Sequence, residues 1–257
     1  MLTDRVTFLG LGFDRLSFDD VLARLRAVTS ESSFGYIVTP NVDHVVRLHE
    51  ADIDPGLLQI YREAAICVCD SRVLQKIARL QNVEMTLVPG SDLTVSLLRD
   101  VVNPCDRIAV VGGDDILLSD LVNQFSEVEF VHHSPPMGLR HNRAAIEEAA
   151  LWIAGARARF VLIAVGCPQA ELVAAAVRCM PDARGMALCI GASLEFITGR
   201  KARAPRWMQV SSLEWLHRLL TEPLRMWRRY LVQGPRIFLL AARYRRRASN
   251  FHTTISQ

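Results

Sequence analysis

The chain has 257 residues, of which half are hydrophobic and 22% charged, with a formal net charge of +3. That is ordinary for a globular protein, long enough to bury a large core as one or two domains. No apolar run reaches the roughly 18 residues a membrane span needs, and the N-terminus lacks a signal-peptide layout.

Residues 6–9 are apolar and are followed by Gly10-Leu11-Gly12. Two glycines without the third make a poor dinucleotide fingerprint. Ser17 and Asp20 read as the cap and acidic first turn of a helix over 18–28, with Phe18, Val21, Leu22 and Leu25 inward. A strand over 35–38 stops at Thr39-Pro40-Asn41, and Pro40 suits the first turn of a following helix. Asp54-Pro55 starts another helix. A short strand over 66–69 ends on Asp70, and a helix runs on to about Leu80. Asp70 has two readings: the cap of that helix, or a carboxylate offered to a ligand. Two strands delivering Asn41 and Asp70 at their carboxyl ends place both at the edge where open α/β sheets bind ligands.

Residues 83–88 read as a further short strand, and Pro89-Gly90 turns the chain into a helix opened by Ser91-Asp92. Ser91 either caps that helix or stands beside a phosphate at its free N–H groups. Strands over 107–111, 128–131, 160–165 and 186–190 alternate with helices over 116–125, 142–154 and 171–179. Loops carrying Gln169, Glu171, Gly191 and Ser193 follow the last two strands. His132-His133 has no third ligand at metal spacing, and the six cysteines form no four-ligand pattern. We read the thiols as reduced core residues of a cytosolic protein. The pattern predicts an α/β fold: a Rossmann-like, mostly parallel sheet of about six strands with helices on both faces.

The tail differs. Residues 200–247 hold 13 Arg or Lys against 2 acidic residues, while the rest holds 17 basic against 25 acidic. Helices over 211–221 and 223–233 place Leu216, Leu219, Leu220, Leu224, Trp227 and Leu231 on one side and Arg218, Arg225 and Arg229 opposite. Such a segment suits a lipid-headgroup surface, or packs its apolar side on the sheet. The last residues, from about Ala248, are expected to fray. The predicted division is an α/β domain over 1–199 and a basic, amphipathic, membrane-associating appendage over 200–257.

No Ser-His-Asp order, Gly-x-Ser-x-Gly elbow or Walker A sequence is present. A carboxylate and several arginines suit transfer from a diphosphate-linked donor: the carboxylate accepts a hydroxyl proton and the arginines stabilise the leaving diphosphate. That chemistry needs no obligatory metal or cofactor. A non-catalytic or nucleic-acid-binding α/β protein using the basic tail is the main alternative. A dinucleotide-dependent oxidoreductase would rest on Gly10-x-Gly12 or Gly112-Gly113 alone.

Several blocks, in order along nearly the whole chain, resemble the WecG/TagA/CpsF family of bacterial glycosyltransferases. They are Thr39-Pro40-Asn41 with Asp43-His44, Asp70, Gly90-Ser91-Asp92-Leu93, and Gly166-x-Pro168 with Glu171. Further on come Gly191-Ala192-Ser193, Arg203-Ala204-Pro205-x-Trp207, Leu213-Glu214-Trp215-x-x-Arg218-Leu219 and Glu222-Pro223-x-Arg225 with Arg229-Tyr230. The resemblance implies inverting transfer of one sugar from a nucleotide-sugar, commonly UDP-linked, to a polyprenyl-diphosphate-linked saccharide. It implies work at the cytoplasmic face of the bacterial membrane, in exopolysaccharide or other cell-surface polysaccharide assembly, with anionic lipid as a partner and self-association plausible. It implies Asp70 as general base, with Thr39 and Asn41 lining the catalytic pocket. Gly90, Ser91, Asp92, Gln169, Glu171, Gly191, Ser193, Arg218, Arg225 and Arg229 would serve the donor and its diphosphate. Three departures stand out: Ser71 where the family commonly has Gly, Leu87-Val88 where an Arg is common, and Ala170 in a Gln slot with Gln169 one place earlier.

Overall fold

The structure, a computed structural model, describes residues 4–50 and 55–254. In chain order the elements are β1 (Arg5–Phe8), β2 (Leu11–Asp14), α1 (Phe18–Arg26), β3 (Gly35–Val38), α2 (Val42–Arg47), α3 (Pro55–Glu63), β4 (Ile66–Cys67) and α4 (Arg72–Arg79). Then follow α5 (Gly90–Ser96), β5 (Arg107–Val111), α6 (Asp115–Gln124), β6 (Glu129–His133), α7 (Arg143–Ala156), β7 (Phe160–Ile163), α8 (Gln169–Arg178), β8 (Met186–Cys189) and α9 (Ser193–Ile197). The tail contributes α10 (Arg206–Val210), α11 (Glu214–Thr221), α12 (Pro223–Trp227) and α13 (Arg236–Thr254), with a π-helical turn at Arg228–Gln233.

Six strands form one parallel sheet in the order β4-β3-β8-β7-β5-β6. Their side chains alternate between two cores, as the two-residue period of a strand requires. Tyr36, Val38, Ala109, Val111, Val161 and Ile163 enter one core; Ile37, Ile108, Val110, Phe160 and Leu162 enter the other. Residues of α2, α3, α4, α7 and α8 close the first face, and those of α1, α5, α6 and α9 the second. The near-continuous apolar runs of the central strands follow from this double coverage.

One segment whose pairing the pattern left unread is a hairpin, and three expectations need correction. Residues 5–14 form an antiparallel hairpin, β1–β2, turned at Leu9 (φ 49°) and Gly10 (φ 79°). Gly10 therefore makes a hairpin turn and Gly12 lies in β2, in keeping with the poor match to a dinucleotide fingerprint. Residues 83–88 are not a strand; they contribute a single bridge, Leu87 to Cys69. Not every cysteine is a core residue: Cys67, Cys69 and Cys189 are buried, but Cys105 and Cys179 are exposed. The C-terminus is helical well past Ala248, to Thr254. That helix is anchored by Ile237 and Ala241, buried in the first core, and by Tyr244, which packs edge-on to Phe8 and donates to the Thr7 carbonyl. Of the predicted Asp54-Pro55 helix start, Asp54 lies outside the described residues.

One glycine is indispensable at the entry to β8, an interior strand. Gly185, entering β8, has φ +85°, and a Cβ there would lie 2.4 Å from the Ala158 carbonyl oxygen and 2.7 Å from that of Arg159. Both obstacles are main chain and cannot rotate away. Gly185→Ala is expected to cost about 3 kcal/mol of stability, read as a lowered denaturation midpoint with unchanged m-value.

Candidate active site

The site forms where the loops after β3 and β4 meet. Ser71, not Asp70, caps α4: its hydroxyl accepts from the Leu74 N–H at 3.3 Å. That frees the Asp70 side chain, and the departure Ser71 supplies the cap. Asp70 Oδ1 accepts the Gly90 N–H at 2.7 Å, and Oδ2 faces Asn41 Nδ2 at 3.4 Å. The Asp70 N–H donates to the Pro40 carbonyl at 3.1 Å, fastening the two loops together. Burial pushes the Asp70 carboxyl above the ordinary carboxylate value; the Gly90 N–H, the Arg218 guanidinium and Asn41 pull it back, while Glu214 adds to the rise. A carboxyl tuned upward toward neutral pH is a better general base.

Thr39 sits against the same corner. A Cβ at Gly90 would lie 2.7 Å from Thr39 Oγ1, so only glycine lets α5 start this close to β3. Helix α5 begins at Gly90 with Pro89 before it and no side-chain cap. The expected Ser91 cap is therefore absent. Ser91 Oγ instead accepts from Arg203 at 3.2 Å, and Asp92 pairs with the same guanidinium at 2.5 Å. Across the sheet, Gly191 adopts φ +51° and Ser193 is buried, its hydroxyl donating to the Ile190 carbonyl at 2.7 Å.

Two residues expected to serve the donor make internal contacts. Glu171 is only 2% exposed. Its Oε1 accepts from Tyr61 Oη at 3.0 Å and lies 3.5 Å from His44 Nε2. With its amide nitrogen toward the loop, Gln169 donates to the Gly166 and Cys167 carbonyls at 2.7 and 3.2 Å. Both side chains are spent on structure because α8 starts immediately at Gln169, drawing its first turn against the sheet.

Among the described residues, His44, Cys167 and Glu171 are the one group whose ligand-type atoms converge, all within 4.8 Å. Such a set suits a soft divalent ion. Here the atoms already engage one another and Tyr61. His132 and His133 are used otherwise: His132 Nε2 contacts the Gly112 carbonyl at 3.1 Å, and His133 stacks on Trp152.

The tail reaches this corner from the far end of the chain. Arg218 pairs with Glu214 at 2.9 Å, lies over the Phe196 ring at 5.1 Å, and is close enough to Asp70 to lower its carboxyl. Arg229 lies 3.4 Å from Asp43, two residues after Asn41. Arg225 pairs with Glu222 at 2.9 Å and its side chain is 63% exposed, so it stands furthest into solvent. The apolar side of α11 and α12 is largely unburied: Leu220, Leu224, Trp227 and Leu231 are all exposed. Packing that side on the sheet is thereby excluded for these four.

Three partners were missed by sequence reasoning. Glu214 beside Asp70, Arg203 on Asp92, and the His44–Glu171 pair all join residues more than 100 positions apart or carboxylates that read as helix-surface groups. Glu214 did stand in a dense block with Arg218, four residues on, which was the available signal.

The geometry can be set beside known proteins. A profile described as "Glycosyl transferase WecG/TagA/CpsF family" matches residues 6–251. The match takes in Asp70, its loop partners and the arginine-bearing tail alike. This chain belongs to the WecG/TagA/CpsF family of glycosyl transferases.

Proposed function

We propose that the protein transfers one sugar, with inversion, from a UDP-linked donor to a polyprenyl-diphosphate-linked saccharide in cell-surface polysaccharide assembly. The observation that carries this reading is Asp70: partly buried, raised by burial, held by Gly90 and Asn41, with Arg218 opposite. Asp70 takes the proton of the acceptor hydroxyl as its oxygen attacks the anomeric carbon. The bond from that carbon to the diphosphate breaks, and the configuration inverts because attack and departure use opposite faces. Negative charge grows on the departing diphosphate. Arg218, Arg229 and Arg225 stabilise it, and no metal ion is required. Each arginine now faces one carboxylate: Glu214, Asp43 and Glu222. The Arg225–Glu222 pair, with its arginine exposed, is worth little; the part-buried Arg218 and Arg229 exchange a single carboxylate for a multiply charged diphosphate, which attracts them more strongly.

In this reading residues 200–257 complete the active site over the α/β domain. Arg203 on Asp92 and Arg200 on Asp114 already tie its base to the α/β loops. Exposed Leu220, Leu224, Trp227, Leu231, Phe238 and Leu239 meet anionic inner-membrane lipid, beside the tail's arginines. No helix among the described residues is long and apolar enough to cross a membrane; the reading places the protein on the membrane through this exposed apolar face. The test is incubation with a panel of UDP-sugars and polyprenyl-diphosphate saccharides, with products read by mass spectrometry. A mass gain of one sugar on the lipid-linked acceptor is expected; none across the panel would remove the proposal.

A further inference from the structure

We infer that His44 is a positioning residue: it orients the Asn41 amide, which in turn holds Asp70, and the buried Glu171 keeps His44 charged for that task. The inference rests on reading Asp70 as the base. It comes from one continuous line of contacts. Asp70 Oδ2 faces Asn41 Nδ2 at 3.4 Å, Asn41 Oδ1 lies 2.8 Å from His44 Nδ1, and His44 Nε2 lies 3.5 Å from Glu171 Oε1. Tyr61 Oη closes the line at Glu171, 3.0 Å away.

An asparagine amide has two orientations, and only one suits Asp70. With Nδ2 toward the carboxylate it donates; turned over, two acceptors would confront each other. Asn41 Oδ1 is fixed on the other side by the Asp43 N–H at 3.0 Å and by His44 Nδ1. For Nδ1 to serve Oδ1 it must carry a proton. The Asn41 N–H also approaches Nδ1, at 3.3 Å, which would require the opposite role. The shorter contact decides for Nδ1–H as donor.

The second nitrogen settles the charge. Nε2 faces a carboxylate oxygen, where a bare lone pair would be repelled, so it carries a proton too. Burial alone would lower the histidine, but Cys167 and Glu171 outweigh it and hold it well above the ordinary value; His44 likewise holds Glu171 low. Glu171 Oε2 is buried without a hydrogen-bond partner, so the carboxylate leans on its Oε1 contacts, the Tyr61 hydroxyl and the His44 ring.

The groups around His44 are few. From α3 comes Tyr61, edge-on at 6.4 Å; from the β7–α8 loop, Cys167; and from α8, Glu171. On its own helix Asp43 is taken by Arg47 and by Arg229 of the tail. Helix α13 presents buried Ile237 and Ala241 to the same core, both apolar. None of these side chains replaces that of His44 as a donor to Asn41 Oδ1, which otherwise takes only the backbone N–H groups of Asp43 and His44, at 3.0 and 3.5 Å.

Two variants of the full chain separate the two contacts. His44→Gln places a donor near Nε2, toward Glu171, and drops the one toward Asn41. His44→Asn with Glu171→Gln keeps a donor near Nδ1 and removes the carboxylate that needed a cation. The first readout uses no substrate: the Asp70 carboxyl is titrated by carbon-13 NMR in ligand-free protein. Loss of the Asn41 donor favours the protonated carboxyl, so in His44→Gln the midpoint is expected to rise by about one pH unit. The double variant should titrate like wild type. The second readout is transfer from the UDP-sugar panel. His44→Gln should lose about 100-fold in kcat with donor KM changed little, and its acid limb should move to higher pH. The double variant should recover most of that loss.

A wild-type Asp70 titration in His44→Gln would overturn the inference, as would failure of the folded double variant to recover. Failure of both variants to fold would also overturn it, since the pair would then serve the fold. Asp70→Asn, run alongside, keeps the two readings apart. Full transfer by Asp70→Asn removes the base itself; an inactive Asp70→Asn beside a wild-type His44→Gln removes only the positioning role.

Discussion

Asp70→Asn is expected to lower kcat by about three orders of magnitude while leaving the melting temperature equal to or above that of the wild type. The two halves of this result have separate causes. The activity falls because asparagine cannot accept the acceptor's proton. Stability does not fall, because the fold strains against the ionised carboxylate rather than depending on it. Burial raises the Asp70 carboxyl above its unfolded value. Its favourable contribution is therefore fully present below the unfolded pKa and is lost as pH rises through the folded one. At neutral pH the wild type carries the cost of a desolvated carboxylate, and asparagine removes it. The Asn oxygen still accepts the Gly90 N–H that Asp70 Oδ1 takes at 2.7 Å. Kinetics on the transfer reaction and a thermal melt on the same sample check both halves. A variant that lost activity and melted well below wild type would point to a structural carboxylate instead.

Arg218→Ala is expected to lower kcat/KM by about 100-fold, and Arg218→Lys to recover only a small part. Of the three tail arginines, Arg218 has the strongest claim. Its guanidinium carbon lies over the Phe196 ring, 5.1 Å from the centroid, and Glu214 holds the group at 2.9 Å. It is also the one close enough to act on Asp70. A planar fork can grip two diphosphate oxygens at once, whereas an ammonium offers a single point of charge. Arg225, more exposed and already paired with Glu222, should matter less: Arg225→Ala is placed within about 10-fold of wild type. Steady-state kinetics with donor varied and acceptor saturating separates these outcomes. Equal losses at all three positions would show instead that the tail acts as a diffuse cationic surface.

The parallel sheet was legible along the chain because each central strand is an apolar run wrapped by turn residues, and double coverage leaves no polar face to confuse the period. The site was legible in outline for a related reason. Parallel strands bring their carboxyl ends to one edge, so Asn41 and Asp70 had to share it. The hairpin at 5–14 was not legible. β1 and β2 mix polar and glycine positions with apolar ones instead of forming an apolar run, and Leu9 at φ 49° gives no residue-type signal for its turn. The false strand at 83–88 had the right residues but found only Cys69 to bridge.

What the amino-acid order determined by itself was the alternation of strands and helices, the segregation of positive charge into the tail, and the blocks that mark the family. Local propensity and hydrophobic period are properties of neighbours in the chain, so they are written there. Tertiary structure alone decided that Ser71 rather than Asp70 caps its helix, that Glu171 turns away from the cleft to meet His44, and that Arg218 arrives beside Asp70. Each of those depends on which distant groups share a low-dielectric space, and burial and pairing there outweigh what any one residue type prefers.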